Sequence, residues 1–235
     1  MNILLFKNDE TSIDIKDERA EHLKKVLHLS VGDSFKAGII NGKQGIATIE
    51  SIENNRMNFS FDFTDDYSEL YPLTMIIAQV RPICMKRILR EAVSLGVGRL
   101  ILPVSELGEK SYLKSSLYTT DEYSKILIDG AMQAGFTGVS ECLLARSVEH
   151  AIELAGSGER LLLDNVIGAK PLSSLDLRNK NVILAIGPER GWTTKERELF
   201  IESGFAPCLL GSRILRTETA AVAGAGVVLS AMGLL

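Results

Sequence analysis

The sequence is poor in the residues that staple small proteins or bind metals. Its three cysteines, Cys84, Cys142 and Cys208, lie far apart, and no two stand in a CxxC pair. Its three histidines, His22, His28 and His150, show no ligand spacing. A disulfide framework and a zinc site are therefore not expected, nor is any other metal. Free thiols in a reducing cytosol fit this usage. The opening MNILLFKNDE has no basic region followed by an apolar run, so no signal peptide is expected. The longest uncharged apolar stretch, Ala220–Leu235, is shorter than the roughly 20 residues that span a bilayer. Rich in glycine and alanine, it reads as a closely packed helix, and a cytoplasmic protein without a membrane partner is expected. Also missing are G-x-G-x-x-G after a strand, the P-loop pattern G-x-x-x-x-G-K-S/T and the G-x-S-x-G elbow. These absences exclude dinucleotide, P-loop nucleotide and serine-hydrolase chemistry of the usual kinds.

A surplus of positive charge is missing too. Twenty-six Lys and Arg stand against 30 Asp and Glu, a net charge of −4, where a phosphate-binding surface needs basic groups. Local clusters can still supply one. Arg81, Lys86, Arg87, Arg90 and Arg99 crowd one short region with only Glu91 against them, and Arg19, Lys24 and Lys25 stand close to His22 and His28. Each cluster is either a nucleic-acid contact or a solvated helix face.

What is present divides into two textures. Residues 1–68 read as mostly β. Ile3–Phe6 is a short strand and Glu18–Leu29 has helical apolar spacing at Ala20, Leu23, Val26 and Leu27. Phe35–Ile40 and Ile46–Ile52 flank the hairpin signal Asn41-Gly42, and Met57–Phe63 alternates Phe59, Phe61 and Phe63. This pattern predicts a small barrel with one helix. The acidic, polar stretch Asp62–Pro72 marks a boundary. From residue 73 to 235, short apolar strands alternate with helical segments, which predicts an α/β domain with a mainly parallel sheet. Strands are expected at Leu73–Val80, Arg99–Val104, Glu141–Ala145, Arg160–Leu163, Val182–Ile186 and Pro207–Leu210. Helices are expected at Met85–Leu95, Asp121–Ala134, Val148–Ala155, Thr194–Ser203 and Glu218–Met232. Thr119 with Glu122, and Thr193 with Glu196, have capping-box spacing.

Function in open α/β sheets concentrates at the carboxyl ends of strands. Two unusual turns fall there. Gly187-Pro188-Glu189-Arg190-Gly191-Trp192 leaves Ile186, and Gly211-Ser212-Arg213-Ile214-Leu215-Arg216-Thr217-Glu218-Thr219 leaves Leu210. Glycine directly after a buried strand lets a ligand approach the backbone closely. Both turns carry Glu and Arg, and both are expected at neighbouring strand ends. The alternative is a pair of ordinary strand-to-helix turns capped by Thr193 and Thr217.

The paired motifs, GPERGW and then LGSRILRTETA, resemble those of the uracil-N3 methyltransferases of 16S ribosomal RNA, a branch of the SPOUT class. Fainter similarity covers His22-Leu23, Val26-Leu27, Gly32-Asp33, Leu95-Gly96-Val97, Ile101 and Pro103. The chain departs from the family pattern at His28, Ser94, Arg190, Trp192 and Met132. The resemblance implies a PUA-like RNA-binding barrel over residues 1–68 and, over residues 73–235, a SPOUT methyltransferase domain with a C-terminal trefoil knot. It implies S-adenosyl-L-methionine as cofactor, 16S rRNA or the small ribosomal subunit as partner, and a homodimer. Ala221, Gly224, Ala225 and Val228 suit close packing in that dimer. Leu163, Ile186, Gly187, Pro188, Glu189, Gly191, Leu210, Gly211, Ile214, Leu215 and Thr219 would then hold the cofactor. Arg19, His22, Lys24, Lys25, His28, Lys86, Arg90 and Lys110 would touch RNA.

A uracil losing its N3 proton develops negative charge on its carbonyls, so a cation there lowers the barrier. Arg216 is the first candidate, then Arg213 and Arg190. Glu218 either orients that arginine or merely places negative charge at a helix N-terminus. Trp192 or Tyr112 either stacks on the target base or packs into the protein. Lys110 and Lys114, among Ser111, Ser115 and Ser116, form a loop that either contacts phosphates or is simply solvated.

Overall fold

The computed structural model describes residues 1–66, 69–168 and 170–235. It divides into two compact units: residues 1–69 with 128–139, and residues 70–127 with 140–235. The boundary expected at Asp62–Pro72 includes Tyr67 and Ser68, which lie outside the described residues.

The first unit holds β1 (Leu4–Phe6), β2 (Ser12–Asp14), α1 (Glu18–Lys25), β3 (Ser34–Ile39), β4 (Gln44–Glu53) and β5 (Arg56–Asp65). The strands form one sheet in the order β1-β3-β4-β5-β2, antiparallel except for the β1–β3 pair. The Asn41-Gly42 signal does join two paired strands. Asn41 takes a positive φ of 54°, and the Gly42 N–H returns to the Ile39 carbonyl. The alternating phenylalanines pack as a row, Phe59 on Phe61 and Phe61 on Phe63, with Phe6 edge-on to the first two.

Two expectations fail in this unit. Strand β2 leaves no periodic signal in the sequence, because three residues are too few to show alternation. Helix α1 stops at Lys25 rather than Leu29. His28 sits at φ 55°, where the left-handed backbone ends a helix, and the Leu27 and Leu29 N–H groups turn back to the His22 and Leu23 carbonyls. Val26 and Leu27, expected on the buried face, are therefore exposed.

The second unit begins with β6 (Tyr71–Ile77), α2 (Pro82–Ser94), β7 (Val97–Pro103), α3 (Ser116–Thr119) and α4 (Glu122–Ala134), whose last turns belong to the first unit. There follow β8 (Glu141–Ala145), α5 (Val148–Leu154), β9 (Glu159–Leu163), β10 (Lys170–Pro171), β11 (Val182–Ile186), α6 (Thr194–Glu202), β12 (Ala206–Leu209) and α7 (Thr217–Met232). The seven strands run in the order β10-β12-β9-β11-β6-β7-β8, and every pair is parallel. Strand β11, Val-Ile-Leu-Ala-Ile, is buried at every position, as a central strand covered on both faces must be. Beneath the turn that follows it, Trp192, Phe200 and Phe205 pack ring to ring with centroids 4.9 Å apart at each step.

Of the two capping boxes, only Thr193–Glu196 forms. Thr119 is helical itself, in α3, and its hydroxyl bonds the Ser115 carbonyl, while Thr120 Oγ1 accepts the Glu122 N–H. The small residues of α7 also differ from expectation. Ala221, Gly224, Ala225 and Val228 are all buried within this chain. A β-carbon on Gly224 would come within 2.9 Å of Leu163 and 3.1 Å of Leu184. They let α7 lie against the sheet, so they are not available to a second subunit.

Candidate functional site

The turns after β11 and β12 do line one cavity, of about 360 Å³, but their strands are not neighbours. Strand β9 lies between them. Asp164, Asn165 and Val166 of its own turn, which closes at Gly168, form a third wall beyond the two turns expected.

This third wall is tightly built. Asp164 accepts the Val166 N–H at 2.7 Å and the Ile167 N–H at 3.1 Å on one carboxylate oxygen. The other oxygen accepts Arg197 Nε at 2.7 Å, and the two side chains are only 2% and 16% exposed. The Gly168 N–H closes the turn on the Asp164 carbonyl at 3.0 Å. A β-carbon at Gly168 would lie 2.3 Å from that same oxygen, so only glycine fits.

The β11 turn is fixed by three elements. The Gly191 N–H bonds the Pro188 carbonyl, with Gly191 at φ 71°. Glu189 accepts the backbone N–H of Arg81, at the start of α2, at 3.3 Å. Glu196, buried in α6, accepts the Thr193 N–H at 2.8 Å and the Glu106 N–H at 2.9 Å, which ties this turn to the loop after β7. Trp192 is 1% exposed, and its Nε1 has no partner among the described residues. It packs in the core beneath the cavity, so the base-stacking alternative falls. The β12 turn differs: residues 211–216 are all exposed, Ile214 at 84%. Thr217, which follows them, hydrogen-bonds the Gly187 carbonyl at 3.2 Å and joins the two turns.

Of the residues expected to hold a cofactor, all line the cavity except Thr219. Thr219 points from the opposite side of α7, beside Arg87 and Glu91 of α2. Arg213 and Arg190 line the cavity. Arg216 is exposed at the N-cap of α7, outside the lining. Glu218 faces α2, where burial together with this carboxylate raises the Cys84 thiol above its ordinary range. Asp164, Arg197 and Thr217 are polar lining residues with no site role expected from the sequence. Asp164-Asn165 after an apolar strand is a turn signal that was there to be read. Arg197 gave no signal, since an arginine on a predicted helix reads as solvated.

The expected RNA contacts separate into free and committed groups. Arg19 is committed, and it leaves the candidate surface. Its guanidinium bonds Glu10, Asp17 and the Leu5 carbonyl, and it lies over Phe6. Lys86 is paired with Glu122, and Lys25 with Glu21 at 3.1 Å. His22 keeps its Nε2 buried with no partner among the described residues, and burial lowers its pKa. Lys24, His28, Arg90 and Lys110 are exposed. Tyr112 is half-buried and stands beside Arg81, whose pKa it helps to raise. Among the described residues no cluster of His, Cys, Asp or Glu could hold a metal, and no helix is long and apolar enough to cross a membrane.

A pocket built from three strand ends of a parallel sheet, in a chain that also carries a small β unit, has close parallels. Residues 67–229 match the family model of the RNA methyltransferase domain, and residues 15–61 match that of the RNA methyltransferase PUA domain. Ribosomal RNA small subunit methyltransferase E of Treponema pallidum is 40% identical, over 98% of this chain and 91% of its own length. A protein of the same name, numbered 1, from Borreliella burgdorferi is 34% identical over 95% of each chain. The crystal structure of the Neisseria gonorrhoeae enzyme of that name, bound to S-adenosyl methionine, superposes with a TM-score of 0.80 at 25% identity. That match covers 98% of this chain and 97% of the other. With both of its units matched and its relatives aligned almost end to end, this chain belongs to the ribosomal RNA small subunit methyltransferase E family of RNA methyltransferases.

Proposed function

We propose that this protein transfers a methyl group from S-adenosylmethionine to N3 of a uridine in 16S rRNA. In this reading residues 1–68 bind RNA, residues 73–235 form a knotted catalytic domain, and the protein works in the cytoplasm as a homodimer. The observation that carries it is the convergence of three glycine-containing turns, after β9, β11 and β12, on one cavity of about 360 Å³. That volume lies within the range of roughly 300–1,000 Å³ usual for small-molecule sites.

The residues present fit such a donor. Gly187, Gly191 and Gly211 leave backbone open to a flat heterocycle, and Trp192 Nε1 is a buried donor with no partner among the described residues. Leu163, Ile186 and Leu210 give the cavity an apolar floor. The bound donor supplies an electrophilic methyl group. The protein supplies position, which is worth much of the barrier in a two-substrate displacement. Arg213 and Arg190 at the cavity mouth stabilise negative charge growing on the uracil carbonyls. Arg216 acts from the N-cap of α7, beside the cavity rather than within it. Exposed Ile83 and Val222, on α2 and α7, offer the homodimer an apolar contact in place of the buried glycine and alanines.

The test is a methyl-acceptor assay on free 16S RNA and on assembled small subunits, with the product nucleoside identified by mass spectrometry. 3-Methyluridine is expected. A ribose-methylated product would overturn the choice of atom, and calorimetry showing no donor binding would overturn the enzyme itself. Arg213→Ala and Arg216→Ala should each keep the fold while lowering turnover.

A further inference from the structure

Arg197 is a largely buried cation of the cavity wall with no part in the proposed reaction. Its side chain is only 16% exposed, so it belongs to the cavity's interior rather than to the rim, where Arg190 and Arg213 are exposed. Its Nε is committed to Asp164 at 2.7 Å. Its two Nη groups make no hydrogen bond among the described residues. Nη2 lies 3.5 Å from the point a β-carbon would occupy on Gly191, so it reaches across from the β9 turn to the β11 turn. Asp164 is largely spent: two backbone N–H groups and Arg197 take three of the roughly four lone-pair positions of its carboxylate. The pair therefore offers the cavity mainly donors.

A guanidinium fork is all donor and matches a planar anion. The adenine and ribose of S-adenosylmethionine are neutral, and its sulfonium and ammonium are cations. Its single anion is the carboxylate of the amino-acid end. A bare arginine would also repel the two cations; Asp164 neutralises it, leaving directional hydrogen bonds without a net positive field. RNA phosphates are too bulky to enter so enclosed a position, and they suit the exposed arginines at the rim. We propose that Arg197, held in place by Asp164, receives the carboxylate of the methyl donor. This inference rests on the proposal that the cavity is the donor site.

Two ligands separate this role from a structural one. S-Adenosylhomocysteine carries the carboxylate; 5′-methylthioadenosine has the same nucleoside and thioether but no amino-acid end. Calorimetry on wild type, Arg197→Gln and Arg197→Lys, each checked by thermal melting, compares them. Losing a charge-assisted pair should weaken S-adenosylhomocysteine binding by roughly tenfold to a hundredfold in Arg197→Gln. Arg197→Lys, a charge without the fork, should fall between. Methylthioadenosine affinity should stay within about twofold of wild type in both, since no ionic contact with it is lost. Equal loss for both ligands would make Arg197 a mere wall of the cavity and overturn the proposal, as would unchanged S-adenosylhomocysteine binding. Wild type that binds neither ligand would overturn the donor site itself, a failure distinct from the other two.

Discussion

Two arginines in this protein are held by carboxylates in much the same way and end with opposite prospects. Arg19, in the β unit, bonds Glu10, Asp17 and the Leu5 carbonyl and rests on the Phe6 ring, so its guanidinium is spent in every direction. Arg197, in the α/β unit, gives its Nε to Asp164 and turns its remaining donors to a cavity. The lesson concerns saturation. Burial and ion pairing alone do not separate a structural arginine from a ligand-binding one. The difference lies in how many of the five N–H groups are already used.

The largest effect expected from this contrast is on stability. Arg19→Ala leaves two partly buried carboxylates facing each other and should cost about 2–4 kcal/mol. Its hydrogen bonds to Glu10 and Asp17 hold both carboxyls below the usual carboxylate range. That contribution is complete above the unfolded values near pH 4 and is lost as pH falls through the lower folded values. Urea midpoints should therefore differ between wild type and variant most at pH 7, and the gap should narrow toward pH 2. A gap independent of pH would show that the packing of Arg19, not its ion pairs, stabilises the unit.

The next effect strikes the Asp164 side of the contrast. Gly168→Ala forces a methyl group against the Asp164 carbonyl and should destabilise the fold by about 1–3 kcal/mol. Because it moves the carboxylate that aims Arg197, S-adenosylhomocysteine affinity should fall with it in calorimetry. Loss of stability with full affinity would uncouple the turn from the arginine.

The smallest effect on stability is expected at Ile214, 84% exposed on the β12 turn. Ile214→Ser should shift the melting curve by no more than about 0.5 kcal/mol. If a bound donor or a second subunit covers this side chain, affinity or dimerisation measured by ultracentrifugation should nonetheless drop. An unaltered protein in both respects would remove Ile214 from the site.

How much could be read from the chain depended on how local the determinant was. The bounds of β8 and β11 are legible to the residue, because each is a short, mainly apolar run flanked by polar or glycine turn residues. The Thr193–Glu196 box was legible because capping is settled within four residues. The Thr119–Glu122 box had the same spacing but failed, since residues 110–119 spend themselves on a 3-10 turn and a short helix of their own. The end of α1 was misplaced because a single left-handed residue, His28, outweighed a good apolar spacing.

The order of apolar and turn residues sufficed by itself for a small β unit, for a parallel α/β unit and for two glycine turns where chemistry belongs. These are short-range facts, carried by periodicity and by backbone freedom. Only the tertiary structure decided that β9 stands between β11 and β12, that its Asp164 meets Arg197 across 33 residues, and that Arg19 is closed off while Arg197 is open. The reason is physical. Strand order and the partner of a buried charge are fixed by contacts between residues far apart in the chain, and no local pattern records which distant group will fill an arginine's last hydrogen bonds.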